Sequence, residues 1–479
     1  MLLKTPFEWS VWRNGFIMPK IFPFRGLRYN QQKLANEGHS LNSVATPPYD
    51  VINEAQQVSF AERHPANFIR VDLNPKTQED DQHNNPYTRA GEFIQQWESE
   101  QTLIAEPEPA IYAYSQTWKE NGETIERKGA IVLLQLEAFE SGQVLPHEHT
   151  LKGPKQDRIQ LMRSTLCNLS QIFMIYGDPN RTMENLLYNP DIKSAWAEAT
   201  DADGVIHRFK AVTDSAAIQK IQALLQDKPL LIADGHHRYE TALSYKQEVR
   251  EQLKTKTGQE PPEGSLLSDY GMVFITNMDD PGLKVYPTHR ILYNWPEGWN
   301  SERFETELFK RFDVVEEGET FSYRRPGIGN MIKLRIKPEA KPKNLPPLLD
   351  GYDAALLEEV VFKGIFNQTA EILKQDHLLG FHRNDDEIKT LWKNNEVVGG
   401  FFLAAPSVKL VHQICESGHR MPQKSTYFYP KILSGLVIYP YRAFTHAEGH
   451  PLSGIAKEAQ PLEAVDFKAQ ELAFSQRPY

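Results

Sequence analysis

The stretch Leu230–Leu243, reading LLIADGHHRYETAL, constrains this chain more than any other. Leu230, Leu231 and Ile232 follow Lys228-Pro229 as a short apolar run that suits a buried strand. Beyond Gly235, the residues Tyr239, Ala242, Leu243, Val249 and Leu253 recur at helical spacing, so a helix is expected to begin near His237. Strand, turn and helix start are thus compressed into five residues, Asp234-Gly235-His236-His237-Arg238, four of them polar or ionisable. Gly235 permits the bend, and the free N–H groups of the helix start favour an anion. Arg238 adds a planar fork suited to phosphate or carboxylate, and a phosphate is the favoured occupant. The alternative is structural: Asp234 as a helix cap, Arg238 paired with a carboxylate, and histidines satisfied by backbone carbonyls.

A second basic cluster lies between His147 and Asn168. Gly153-Pro154 sets a helix start, and Lys152, Lys155 and Arg158 crowd its first turn. Cations there oppose the helix dipole unless an anion joins them, and a polyphosphate would satisfy this cluster and Arg238 together. A solvated basic face paired with Glu148 and Asp157 is the competing reading. His147-Glu148-His149, completed by His236 and His237, also permits a metal-dependent hydrolase, although neither spacing is specific. No metal ligand is assigned, and Mg²⁺ held by carboxylates and nucleotide phosphates fits better than a transition metal.

The chain resembles the domain-of-unknown-function 1015 family. The resemblance rests on IFPFRGLRYN (Ile21–Asn30), TPPYDVI (Thr46–Ile52), the stretch His147–Phe173, ADGHHRYETA, PTHR (Pro287–Arg290) and RMPQKSTYFYPK (Arg420–Lys431), in that order. That family is similar to ParB-like and sulfiredoxin-like proteins, and the Asp234–Arg238 turn resembles that of archaeal free-serine kinases. The resemblance implies that Asp234, Gly235, His236, His237 and Arg238 hold nucleotide phosphates, with ATP or ADP and Mg²⁺ as cofactors. His236 stands where sulfiredoxins carry their catalytic cysteine, which argues against sulfinic-acid reduction.

Phosphoryl transfer to a hydroxyl needs a carboxylate to orient and deprotonate the acceptor. Asp50 is the first candidate, with Glu54 and Glu148 behind it; the alternative reading has Asp50 or Asn53 capping the helix that starts near Glu54. Thr288, His289 and Arg290 follow an expected strand and could reach a substrate carboxylate. Lys424-Ser425-Thr426 resembles the end of a P-loop, yet no G-x-x-x-x-G precedes it.

Composition narrows the partners. The 479 residues carry a formal charge of −10 without a Lys/Arg run interleaved with aromatics, which disfavours nucleic acid. No apolar run approaches the roughly 20 residues that span a bilayer, so no membrane partner is expected. Two cysteines, Cys167 and Cys415, fit a reducing compartment, and a cytoplasmic location is expected. The expected fold is a mixed α/β protein with a ParB/sulfiredoxin-like nucleotide-binding core. Residues 1–17 read as an N-terminal extension, 18–336 as that core with insertions, and 348–479 as a C-terminal region beyond the Pro/Lys-rich Lys337–Pro347. Phe68–Leu73, Ala110–Tyr114 and Ala130–Leu136 are expected to be extended, and Ala55–Arg63 and Arg89–Glu100 helical. The leading functional expectation is a kinase acting on a small hydroxyl compound such as serine. The runner-up is a nucleotide-binding regulatory protein.

Overall fold

The computed structural model describes residues 21–148, 153–327, 330–383 and 385–442; the expected extension 1–17 lies outside them. Its centre is a mixed sheet of nine strands among the described residues. From one edge the order is Val144–Leu145, Leu230–Asp234, Ile172–Tyr176, Tyr270–Asn277, Glu123–Gln135, Ile111–Glu120, Ile206–Val212 and Ala197–Thr200, with Ile21–Phe22 paired to Glu123–Gln135. Ile172–Tyr176 and Tyr270–Asn277 run parallel and are buried throughout, the pattern of strands covered on both faces. Fully burying one Phe or Ile side chain contributes about 1.5–3 kcal/mol, and Ile172, Phe173, Phe274 and Ile275 supply this at the sheet centre.

Ile111–Glu120 and Glu123–Gln135 form a long hairpin closed by Asn121-Gly122, at φ +51° and +83°. Two consecutive positive φ values are what a type I′ hairpin turn demands, and Asn-Gly is its strongest sequence signal. The helices Glu54–Arg63 and Pro86–Ser99 match expectation closely, and Gly153–Thr165 begins at the Gly-Pro pair. Phe68–Leu73 does not: Ile69–Asp72 is a short helix, not a strand. Asn67 accepts from the Ile69 N–H at 3.0 Å, and the Asp72 and Leu73 N–H groups bond back to Phe68 and Ile69. Local hydrogen bonding thus outweighs the extended preference of a β-branched run.

A second, six-stranded antiparallel sheet contains His289–Leu292, Phe312–Val314, Phe321–Arg324, Ile332–Ile336, Leu379–His382 and Gly399–Phe402. It draws strands from both sides of Lys337–Pro347. The chain then returns beside the first sheet without joining it. Met421 donates to the His147 carbonyl at 2.7 Å, Tyr427–Tyr429 pairs with Lys284–Tyr286, and Tyr439–Pro440 pairs with Cys167–Asn168. This returning segment carries Lys424–Thr426 and Lys431 to the strand–turn–helix. Among the described residues no helix is long and apolar enough to cross a membrane.

Candidate functional site

Leu230–Asp234 ends in the sheet, Gly235 turns at φ +91°, and the 22-residue helix His236–Thr257 begins at once. No side chain caps that helix at Gly235. A Cβ at Gly235 would stand 2.8 Å from Arg238 Nε. Gly235→Ala is therefore expected to cost about 1–2 kcal/mol in backbone strain alone and to displace the guanidinium, read as a lower denaturant midpoint.

Asp234 is the electrostatic pivot. One carboxylate oxygen receives Lys431 Nζ at 2.8 Å and the other Arg238 at 2.8 Å. Burial alone would raise this carboxyl, but the charges of Lys431 and Arg238 hold it well below the usual range. Arg238, 9 % exposed, spends the rest of its fork on the Gln171 carbonyl. Arg158 is also engaged: it bonds Asp72 at 3.0 Å and Asp157, and its guanidinium lies 3.8 Å from the centre of the Tyr49 ring. Lys155 pairs with Glu240. Lys152 and His149 lie outside the described residues.

His237 reports what converges on the turn. Burial and the nearby cations Lys424 and Lys155 push its basicity down, while Asp50 and Glu148 pull the other way. Lys424 is exposed, with left-handed backbone at φ +54°. The Asp50 carboxylate, in the short turn Tyr49–Val51, lies close enough to act on Lys431 and His237. Among the described residues no hydrogen bond or ion pair engages it. Asn53, not Asp50, caps the following helix, receiving the Gln56 N–H at 2.9 Å. Glu54 sits exposed in that helix's first turn, and no contact among the described residues ties it to the Gly235 turn.

The histidine pair is built into the protein. His147 places Nδ1 against the Ile232 carbonyl at 2.7 Å and Nε2 against Thr426 Oγ1 at 2.8 Å, and its N–H donates to His236 Nε2 at 3.2 Å. With these nitrogens committed, no metal-holding cluster forms among the described residues. Glu148 receives the Lys424 and Ser425 N–H groups at 3.1 and 3.0 Å. Burial opposes its ionisation, but His147, His236 and Lys424 bring its carboxyl down to about 2. It is a fixed anion that holds the 424–426 loop. Ser425 Oγ bonds the Pro422 carbonyl. Behind that loop, Arg290 donates to the Thr288 and Gln423 carbonyls at 2.8 and 3.1 Å, and His289 accepts the Leu403 N–H at 3.2 Å. Of this run, Arg290 alone thus braces the residue that precedes the loop, Gln423.

Two site cations escaped the sequence reading. Lys431 closes the family-like RMPQKSTYFYPK stretch, and Arg383 stacks on Tyr427, 3.7 Å from its ring centre. Tyr427 also lies 4.6 Å from Lys431 Nζ. Lys424 and Arg383 have no ion-pair partner among the described residues. The cysteines take no part: both are buried and unpaired, and burial pushes each thiol up to about 12.

Among solved structures, the chain is similar to a free serine kinase in complex with AMP, at 12% identity over 60% of this chain and 84% of that one, with a TM-score of 0.32. It is similar to a conserved hypothetical protein from Pyrococcus furiosus at 14% identity, covering 61% and 89%, with a TM-score of 0.31. A C-terminally truncated SbnI from Staphylococcus aureus gives 9% identity, 67% and 93% coverage and a TM-score of 0.32. No curated protein matches. Residues 21–378, most of the chain, match the family model described as protein of unknown function DUF1015, and the chain belongs to that family.

Proposed function

We propose that the Asp234–Arg238 turn binds the phosphates of ATP or ADP, and that the protein transfers phosphate to a small hydroxyl compound, serine being the first to test. The observation that carries this reading is the start of His236–Thr257, which no side chain caps, with Lys424 beside it, a cation without an ion-pair partner among the described residues. A helix start with an exposed cation beside it favours an anion. The phosphates are gripped by the His236–Arg238 N–H groups and by Lys424. Arg238 shapes the turn through Asp234, and Arg158 acts one layer further back. Asp50 fits both remaining roles, orienting the acceptor hydroxyl and holding a Mg²⁺ that arrives with the nucleotide. Such a metal would neutralise charge on the phosphates.

The regulatory reading draws on Glu148. Its carboxylate is tied to two backbone N–H groups, which leaves exposed Asp50 as the base and makes slow or absent turnover the alternative. One experiment separates these. Thermal shifts are measured with ATP, ADP, CTP and GTP plus Mg²⁺, on the full chain and on Lys424→Asn, which removes the charge yet tolerates left-handed backbone. A nucleotide at ~100 times its dissociation constant should stabilise the native chain by roughly 2.7 kcal/mol, and the variant by clearly less. Turnover that depends on an added hydroxyl compound marks the kinase, and binding without it the regulator. No shift with any nucleotide overturns both.

A further inference from the structure

Arg127 stands in the middle of the large sheet, on Glu123–Gln135 and directly across from Gln116 on Ile111–Glu120. Both side chains are fully buried, and among the described residues no carboxylate forms an ion pair with Arg127. Burying a guanidinium in this way is unfavourable unless its donors are engaged. One arm of the fork donates to the Tyr429 carbonyl at 3.0 Å, and the other donates to the Pro430 carbonyl and to Gln116 Oε1. Gln116 in turn donates from Nε2 to the Lys431 carbonyl at 2.7 Å. The charge rests 4.7 Å from the centre of the Phe173 ring. Burial brings its basicity down to about 10, against the pull of Tyr114, Asp280, Tyr427 and Asp234.

One cross-strand pair thus holds three consecutive carbonyls of the returning segment. The ladder between Tyr427–Tyr429 and Lys284–Tyr286 ends at Tyr429, so at Pro430 and Lys431 this pair takes over from it. What it fixes is the origin of one side chain. Lys431 leaves the held backbone and reaches Asp234 Oδ1 at 2.8 Å, next to the Gly235 turn.

We infer that Arg127 is a positioning residue for the candidate site: with Gln116 it fixes residues 429–431 so that Lys431 stays on Asp234. Its bearing on nucleotide rests on the reading proposed for the Gly235 turn. Without Lys431, Asp234 would present a less compensated negative charge beside the turn and oppose a phosphate.

The placement of Lys431 can be read without any ligand. The full chain and Arg127→Met are treated with trace acetic anhydride, and the labelling rates of Lys431, Lys246 and Lys337 are compared by peptide mass spectrometry. The last two are controls, held elsewhere by the Leu136 and Phe309 carbonyls. Lys431 is expected to react about tenfold faster in the variant, with the controls within about twofold of the native chain, as in a local opening. An unchanged Lys431 rate in the folded variant, or an equal rise at all three lysines, overturns the inference. If Arg127→Met fails to fold by circular dichroism, Gln116→Leu, which removes only the neutral amide, is judged by the same criteria. Nucleotide affinity gives a second readout. Arg127→Met and Lys431→Met should each weaken it about tenfold, and the double variant no more than Lys431→Met alone. Additive losses would mean that Arg127 does not act through Lys431. A native chain that binds no nucleotide removes the reading of the turn and leaves the labelling rates to decide what Arg127 positions.

Discussion

Replacing Arg158 by methionine should destabilise the protein by about 3–4 kcal/mol at pH 7, and by distinctly less at pH 5. The reason is its partner. Asp72 is 2 % exposed, and the Arg158 guanidinium meets both its carboxylate, at 3.0 Å, and its backbone carbonyl, at 2.8 Å. Burial already raises the Asp72 carboxyl, while Arg158, Arg238 and the hydroxyls of Ser434 and Ser170 work to keep it ionised. Without Arg158, the cheapest course for the folded chain is to protonate Asp72. From an ordinary value of about 3.9, that costs roughly 4 kcal/mol at pH 7 and roughly 1.5 kcal/mol at pH 5. Urea unfolding of Arg158→Met at the two pH values measures the difference. Equal losses at both would mean that Asp72 stays charged and that another cation has taken over. The double variant Arg158→Met/Asp72→Asn should recover much of the loss, because breaking a buried pair costs more than replacing it.

What was legible in the sequence was whatever is local. The strand, the Gly235 turn and the helix after it are contiguous, so one stretch of residues carried position and chemistry together. The Gly153-Pro154 helix start was readable for the same reason. The Asn121-Gly122 hairpin was equally local, and its signal stood in the sequence unread. Lys431 and Arg383 are different in kind. They reach the turn only because the chain, after building a second sheet, returns along His147 and pairs with Lys284–Tyr286. No periodicity encodes that return. Side-chain allegiance was also hidden: Glu148 has the composition of a candidate base, and only the fold places two loop N–H groups on its carboxylate. Arg238 and Arg158 look like ligand-binding arginines by sequence. In three dimensions each is held by a carboxylate and a backbone carbonyl of its own chain. Lys424 and Arg383, by contrast, have no ion-pair partner among the described residues.

The second large effect is a loss of stability on mild acidification that runs through His236. This ring is 7 % exposed, its Nε2 accepts the His147 N–H at 3.2 Å, and its centre lies 4.5 Å from that of His147. Burial first, then the proximity of His147, lowers its pKa to about 3, against the opposing pull of Glu148 and Asp234. A base whose folded pKa lies below its unfolded value of about 6.5 binds its proton preferentially in the unfolded chain. Its contribution is therefore complete above pH 6.5 and is lost as pH falls from there toward 3. Between pH 7 and pH 5 the loss amounts to about 2 kcal/mol. Glu148 and Asp234, whose folded carboxyls are held low, also lose their contribution on acidification, but that loss sets in at the ordinary carboxylate values of about 4 and continues below them, so little of it falls in this window. His237 shifts in the same direction and remains in the background. The informative quantity is thus the difference between the native chain and His236→Gln, whose amide never titrates. Unfolding free energies at pH 7 and pH 5 should show the variant losing about 2 kcal/mol less over that interval. An unchanged slope would mean that His236 takes up a proton in the folded state. Since His236 opens the long helix, that proton would place a positive charge on the helix start and break the acceptor that fixes His147 beside Thr426.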